Sequence, residues 1–377
     1  VEVTGGTTNF VNDSFATTLY TGTGDNQTNT VTNGLDLAGD GGMVWTKGRN
    51  IGYNNIIFDS ERGLQTFLYT NTTDAQENQD ARSNMSFNSN GYSFGSTSAT
   101  SWGPINEGNY NFVSWAFKKQ AKFFDIVTYT GDGVAGRTVS HNLGATPGMI
   151  IVKKYAGSGL AQNWVVYHRG IDSTAPQDYG IYLNSTGARV DTAGFWNDTA
   201  PTSTEFTLKT DGMVNGSGVS YVAYLFAHDT ASDSLIKCGT FTPNGSGEAS
   251  IDLGWEAQFV IWKRTDASQN WYMVDSQRDI GVLRPNTSDA EVTNFDFWNP
   301  TATGFDVLNL TASSPYIYMA IRASAATDSA ITWPSSVKWP SGVAPTTPAA
   351  GTKDLFTFLT TDGGTTYYGK KAAEGLA

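Results

Sequence analysis

Along the whole chain, short runs of apolar residues alternate with clusters of Gly, Asn, Asp, Ser and Thr. Met149-Ile150-Ile151-Val152 and Tyr221-Val222-Ala223-Tyr224-Leu225-Phe226-Ala227 are continuously apolar and too short for core helices, so they predict strands buried in a sheet. Polar residues at turn-forming positions separate them, and no amphipathic helical stretch intervenes.

The runs recur as a set of blocks, three times in the same order, at a spacing of roughly 100 residues. The first block is Met43-Val44-Trp45-Thr46-Lys47, then Met149 to Lys154, then Phe259 to Arg264, each an apolar strand whose cation is expected to mark its exit to solvent. A second runs from Asn54, Asn163 and Asn270 into a turn carrying Arg62, Arg169 and Arg278. The third opens on Asn71, Asn184 and Asn286, with the short polar side chains of a turn. The fourth predicts a hairpin from Phe87-Asn88-Ser89-Asn90-Gly91-Tyr92, from Phe195-Trp196-Asn197 leading to Phe206, and from Phe297-Trp298-Asn299 leading to Phe305. Each copy ends on a strong apolar strand, at Tyr110–Phe117, Ser220–Ala227 and Tyr316–Arg322, which should be central in its sheet.

Many short strands without helices predict an all-β protein of three tandem β-sandwich, jelly-roll modules, at 1–119, 120–230 and 231–326. Residues 327–377 form a Pro-punctuated linker, then a hairpin around Asp362-Gly363-Gly364 that is too small to stand alone. The last residues, from Lys370, are expected to fray. The first residue is not Met, which suits a processed product or part of a longer protein.

Charge narrows the partners. The chain of 377 residues has a net charge of −12 and no basic run beyond the loose cluster Lys118, Lys119 and Lys122, which argues against nucleic acid. No stretch approaches a membrane span, so membrane insertion is not expected. With one cysteine, Cys238, inside an apolar strand, a disulfide framework is excluded and the thiol is expected to be buried.

The series Trp45-Thr46-Lys47, Asp59-Ser60-Glu61-Arg62-Gly63, Asn71-Thr72-Thr73-Asp74-Ala75, Asn90-Gly91-Tyr92-Ser93-Phe94 and Val113-Ser114-Trp115-Ala116-Phe117 resembles a module common in tailed-phage tail proteins. So do Ser140 to Ile150 with Tyr167-His168-Arg169-Gly170, the strand Tyr316–Arg322, and Val337-Lys338-Trp339-Pro340 with Asp354-Leu355-Phe356, the last two notably like marine and cyanobacterial phage proteins. The resemblance implies concanavalin- or laminin-G-like sandwiches. It also implies a non-enzymatic tail fibre or spike on the virion, outside the cell, as a homotrimer alongside other virion tail proteins, attaching to a host-surface glycan or protein. Capsid decoration, a tail scaffold and a polysaccharide-degrading spike are the alternatives.

Candidate chemistry is judged against packing. Sugar binding needs an exposed ring beside an amide, for which Trp164, Trp196 with Asn197, Trp271, and Trp298 with Asn299 are candidates. Arg62, Arg169 and Arg278 could hold a ligand carboxylate, or tie each turn to its own carboxylates and backbone. A hydrolase would use Asp59 with Glu61 or Asp275 with Asp279, although acids at strand ends are usually solvated. His141, His168 and His228 have no metal-cage spacing, and His168 is expected in a turn, where copies one and three carry Ser60 and Ser276. No cofactor is expected, with calcium at Gly22–Asn26, Gly131–Gly133 or Asp362–Gly364 the exception considered, although none follows an EF-hand order. Asn-X-Ser/Thr triplets at Asn26, Asn71, Asn184, Asn197, Asn244 and Asn286 are ascribed to composition and repetition rather than to glycosylation.

Overall fold

The computed structural model describes residues 11–324, 336–342, 345 and 353–376, apart from gaps at 25–26, 79–82, 97–102, 160, 279–280 and 294–295. It is almost entirely antiparallel β-structure, and the two α-helices among the described residues, Leu37–Asp40 and Gly103–Asn106, are single turns. Residues 1–323 form one compact unit and 324–377 a second.

In the first unit each repeat contributes one large sheet and one small one. The large sheet of repeat 1 has the spatial order Phe15–Thr21, Asn111–Lys118, Gly42–Gly48, Ile56–Asp59, Thr66–Tyr69, Glu77–Asn78. Repeat 2 repeats that order with Phe124–Thr130, Ser220–Ala227, Pro147–Ala156, Val165–His168, Tyr179–Tyr182 and Val190–Asp191. Repeat 3 keeps the first four places, Ile236–Phe241, Tyr316–Arg322, Ala257–Arg264 and Tyr272–Asp275. The closing strands are interior to each sheet, as their apolar runs predict.

Small sheets cover one face of the large ones. In repeat 1 Val31, Met85, Tyr92 and Phe94 pack on Val44, Ile56, Phe58 and Ala116, and in repeat 3 Ile251, Phe305 and Val307 pack on Val260, Trp262, Val274 and Ala320. The opposite face is dry as well. Strand alternation puts Met43 and Trp45 on the side away from Val44, and these join Val113, Trp115, Phe117, Phe259, Ile261, Met319 and the interior of repeat 2 in one shared cluster. Phe117 lies at its centre, with ring centroids 5.6 Å from Phe226 and 6.2 Å from Phe259. Strands buried on both faces explain why the blocks are continuously apolar instead of alternating. Each repeat thus lends one face to its own sandwich and the other to its neighbours.

Two local expectations are corrected. In repeat 2 the fourth block forms no hairpin: Glu205–Leu208 pairs with Arg137–Ser140, while Phe195 and Trp196 sit in a turn, the indole donating to Tyr179 O at 3.0 Å. In the C-terminal unit, residues from Lys370 do not fray, because Tyr367–Leu376 is a strand pairing antiparallel with Lys353–Leu359 and parallel with Val337–Lys338. The turn between the two long strands uses Gly363 and Gly364 at φ 73° and 94°, where a side chain would be strained.

Candidate functional site

The recurring polar residues converge on the junctions between repeats. Lys47, Lys153 and Lys263 occupy one place in the first block, and all three are buried. Instead of leading the strand to solvent, each ammonium donates to a carbonyl of another repeat: Lys47 to Ser288 at 3.1 Å, Lys153 to Thr73 at 2.8 Å, Lys263 to Thr186 at 3.1 Å. Carbonyls of their own repeats, Gly48, Gln162 and Arg264, take further donors. Burial lowers all three to about 8, since desolvation disfavours the charged form.

The next position repeats the step. Trp164 Nε1 donates to Tyr69 O at 3.1 Å and Trp271 Nε1 to Tyr182 O at 2.9 Å, and Asn55, which replaces the indole in repeat 1, donates to Thr287 O at 2.8 Å. The backbone joins in, through Gln76 N to Tyr155 O, Arg189 N to Thr265 O and Glu291 N to Arg49 O. Repeat 2 grips repeat 1, repeat 3 grips repeat 2, and repeat 1 grips repeat 3. The series closes into a ring with pseudo-threefold order.

A third interlock joins closing strands to the second block. Tyr224 OH donates to Asp59 Oδ2 at 2.6 Å, and Trp115 Nε1 to Asp275 Oδ2 at 2.9 Å. Each acid is also the clamp of its own turn: Asp59 Oδ1 accepts from the backbone of Glu61 and Arg62, and Asp275 Oδ1 from that of Gln277 and Arg278. Arg62 Nε and Arg278 Nε meet their acids at 2.6 Å with both partners' side chains fully buried. Arg62 and Arg278 therefore hold their own turns and are not presented to a ligand. Of the proposed acid pairs, Asp59 with Glu61 does not form either. Glu61 faces Lys119 at 2.6 Å, Asp59 and Asp275 have their lone pairs occupied, and Asp279 lies outside the described residues.

Repeat 2 places His168 where the others have the acid, because Met149 pairs with His168 as Met43 pairs with Asp59 and Phe259 with Asp275. Equating it with Ser60 and Ser276 misplaces it by one residue, and it ends a strand instead of sitting in a turn. Its Nε2 lies 2.9 Å from Tyr318 O, which fixes Nε2 as the protonated nitrogen, and Nδ1 accepts from Gly170 N at 3.1 Å. Burial drops its pKa to about 4.

The tryptophan candidates fall to burial: Trp164, Trp196, Trp271 and Trp298 are each at most 2% exposed, so none offers a ring face to a sugar. They fill the core, the usual fate of large rings. Asn197 is half-buried in a left-handed turn (φ 53°), Asn299 is exposed on an edge strand, and Arg169 is exposed beside buried His168. Asn71, Asn184 and Asn286 are not free for glycosylation: each accepts from a backbone N–H (Asn55, Trp164, Trp271) at 2.9 Å and donates to the side-chain oxygen of Asn54, Asn163 or Asn270, respectively. Of the calcium loops, Asp132 is bound by Val134 N, Asn215 and Arg137 and Asp362 by Thr365 N and Thr366 N, while Asp25 and Asn26 lie outside the described residues. Cys238 is buried, and desolvation pushes its thiol far up.

The interlocking residues Lys47, Lys153, Lys263, Trp115 and Tyr224 carry a sequence signal, since each sits at a repeated place in a run with no polar alternation. Among the described residues, repeat 1 has a groove of about 510 Å³ between Leu37–Asp40, the turn at 60–65 and the strand Ser83–Asn88. Partly exposed Leu64 and Phe87 lie beside Ser60, Gln65 and Ser86, a mixture of apolar and neutral polar groups.

A sequence profile described as a domain of unknown function, DUF7483, matches residues 11–324, and the chain belongs to that family. The match ends next to Ala323, where the compact three-repeat unit ends. No curated protein and no solved structure matches the chain.

Proposed function

We propose that this member of the DUF7483 family is a non-catalytic structural subunit of a phage particle, a rigid head on a tail fibre or spike that meets the host surface. One observation carries the reading: Asp59 and Asp275 are saturated by their own Arg62 and Arg278 and by Tyr224 and Trp115 of other repeats, and Trp164, Trp271 and the three buried lysines are consumed in closing the ring. Groups saturated by buried partners are poor general acids or nucleophiles but good fasteners, and a closed ring resists the shear of an appendage. The sequence resemblance to tail proteins points the same way. The groove on repeat 1 supplies the kind of surface that attachment to a glycan needs, with apolar side chains for a sugar face and neutral donors and acceptors for its hydroxyls.

The test is antibody labelling of intact particles viewed by electron microscopy. Label at the tail periphery is expected. Label over the capsid would replace attachment with decoration, and unlabelled particles would end the virion reading.

A further inference from the structure

We propose that the C-terminal sheet is the surface through which copies of this chain associate with one another. The apolar inner faces of the three repeats already cover one another. The C-terminal unit is different. Its strand Lys353–Leu359 puts Phe356 and Phe358 against Trp339, at centroid distances of 5.8 and 5.9 Å, and Gly369 lets the indole lie close on the sheet. Alternation sends Leu355 and Leu359 to the opposite face, where Tyr368, the register partner of Leu359, joins them. These three are 54%, 64% and 53% exposed, while Phe358, 45% exposed, lies on the Trp339 side and is not part of this surface.

Among the described residues, the only other large apolar side chains so exposed are Leu19 and Val134, in different repeats. Leu355, Leu359 and Tyr368 together leave roughly 300 Å² bare on one face of a sheet of three strands, a size at which the largest apolar patch of a protein is often functional. The seven residues of Lys353–Leu359 also form an edge, open to pairing with another strand.

Charge argues for a second copy as the occupant. Residues 324–377 carry four bases (Lys338, Lys353, Lys370, Lys371) and four acids (Asp328, Asp354, Asp362, Glu374), leaving 19 bases against 31 acids, the whole net charge of −12, on residues 1–323. Two bodies of like charge repel, while two neutral sheets do not, so contact between copies is cheapest at the sheet. Added salt should strengthen the association by screening the bodies while leaving the apolar contact intact.

Sedimentation velocity of the full chain, from low micromolar to high micromolar concentration and at two salt concentrations, tests this without the particle, so it succeeds or fails independently of the virion reading. The wild type should exceed its 40.5 kDa monomer mass, more so in salt. The double variant Leu355→Asp/Leu359→Asp, and the milder Leu359→Ser/Tyr368→Ser in case the charged pair disturbs the hairpin, should return to the monomer mass with the main thermal transition unchanged. A wild type that stays monomeric throughout overturns the proposal. So does association equal to wild type in both variants, which would place the contact elsewhere.

Discussion

His168 ties repeat 2 to repeat 3 through a proton that the fold cannot double. Its Nε2–H is given to Tyr318 O, and Nδ1 faces the Gly170 N–H, so a second ring proton would point donor at donor in a dry site. Burial, the largest cause, sets the folded pKa at about 4 against 6.5, with Arg169 and His228 adding to the fall and the Tyr318 bond opposing it. Between these values the unfolded chain binds the proton and the folded one does not, so stability rises with pH across the window and is lost as pH falls from 6.5 towards 4. Linkage puts the loss between pH 7.5 and 4.5 at about 2.5 kcal/mol. For a cooperative unit of this size, at about 2 cal/mol/K per residue, that is about 4 °C in Tm. The variant His168→Gln keeps a donor near Nε2 and does not titrate. Differential scanning calorimetry of both proteins over this range should show the wild type losing about 4 °C more than the variant, with contributions from His228 and the carboxylates cancelling in the difference. Parallel profiles would refute a neutral, interlocked His168.

Replacing Asp59 by Ala strands the buried Arg62 and the Tyr224 hydroxyl and should cost about 3–5 kcal/mol in denaturant unfolding, whereas Asp275→Ala should cost less, because Arg278 keeps Glu291 at 3.0 Å. Trp115→Phe, which keeps the ring but removes one donor to Asp275, should cost about 1–3 kcal/mol. Lys153 is lowered to about 8 from 10.5, chiefly by burial and secondarily by Lys154 against the pull of Asp74. The cost of its buried charge should therefore fall from pH 8 towards 9.5, and the stability of the wild type relative to Lys153→Met in chemical denaturation should rise over that window. Asn286→Ala removes the acceptor for Trp271 N and the tie to Asn270, worth about 1–2 kcal/mol by the same assay. On the groove, Phe87→Ala with Gln65→Ala should weaken competition for host-cell binding at least tenfold while leaving Tm within about 2 °C.

Period and composition determined a good deal. The all-β class, the repeated order of strands, the interior position of Tyr110–Phe117, Ser220–Ala227 and Tyr316–Arg322, and the burial of Cys238 all follow from local pattern, because they depend on which residues a strand or turn accepts. The alternative reading of Arg62 and Arg278 as ties within their own turns was also legible, since Asp59 and Asp275 stand three residues away. Tertiary structure alone decided what covers the second face of each large sheet. A sequence records that Trp45, Trp115 and Phe259 are apolar, but whether a ring meets sugar, solvent or another repeat depends on residues more than a hundred positions away. Lys47, Lys153 and Lys263 make the point most sharply: a cation after an apolar run marks a solvent exit unless distant carbonyls are brought to it, and only closure of the ring brings Ser288, Thr73 and Thr186 within reach.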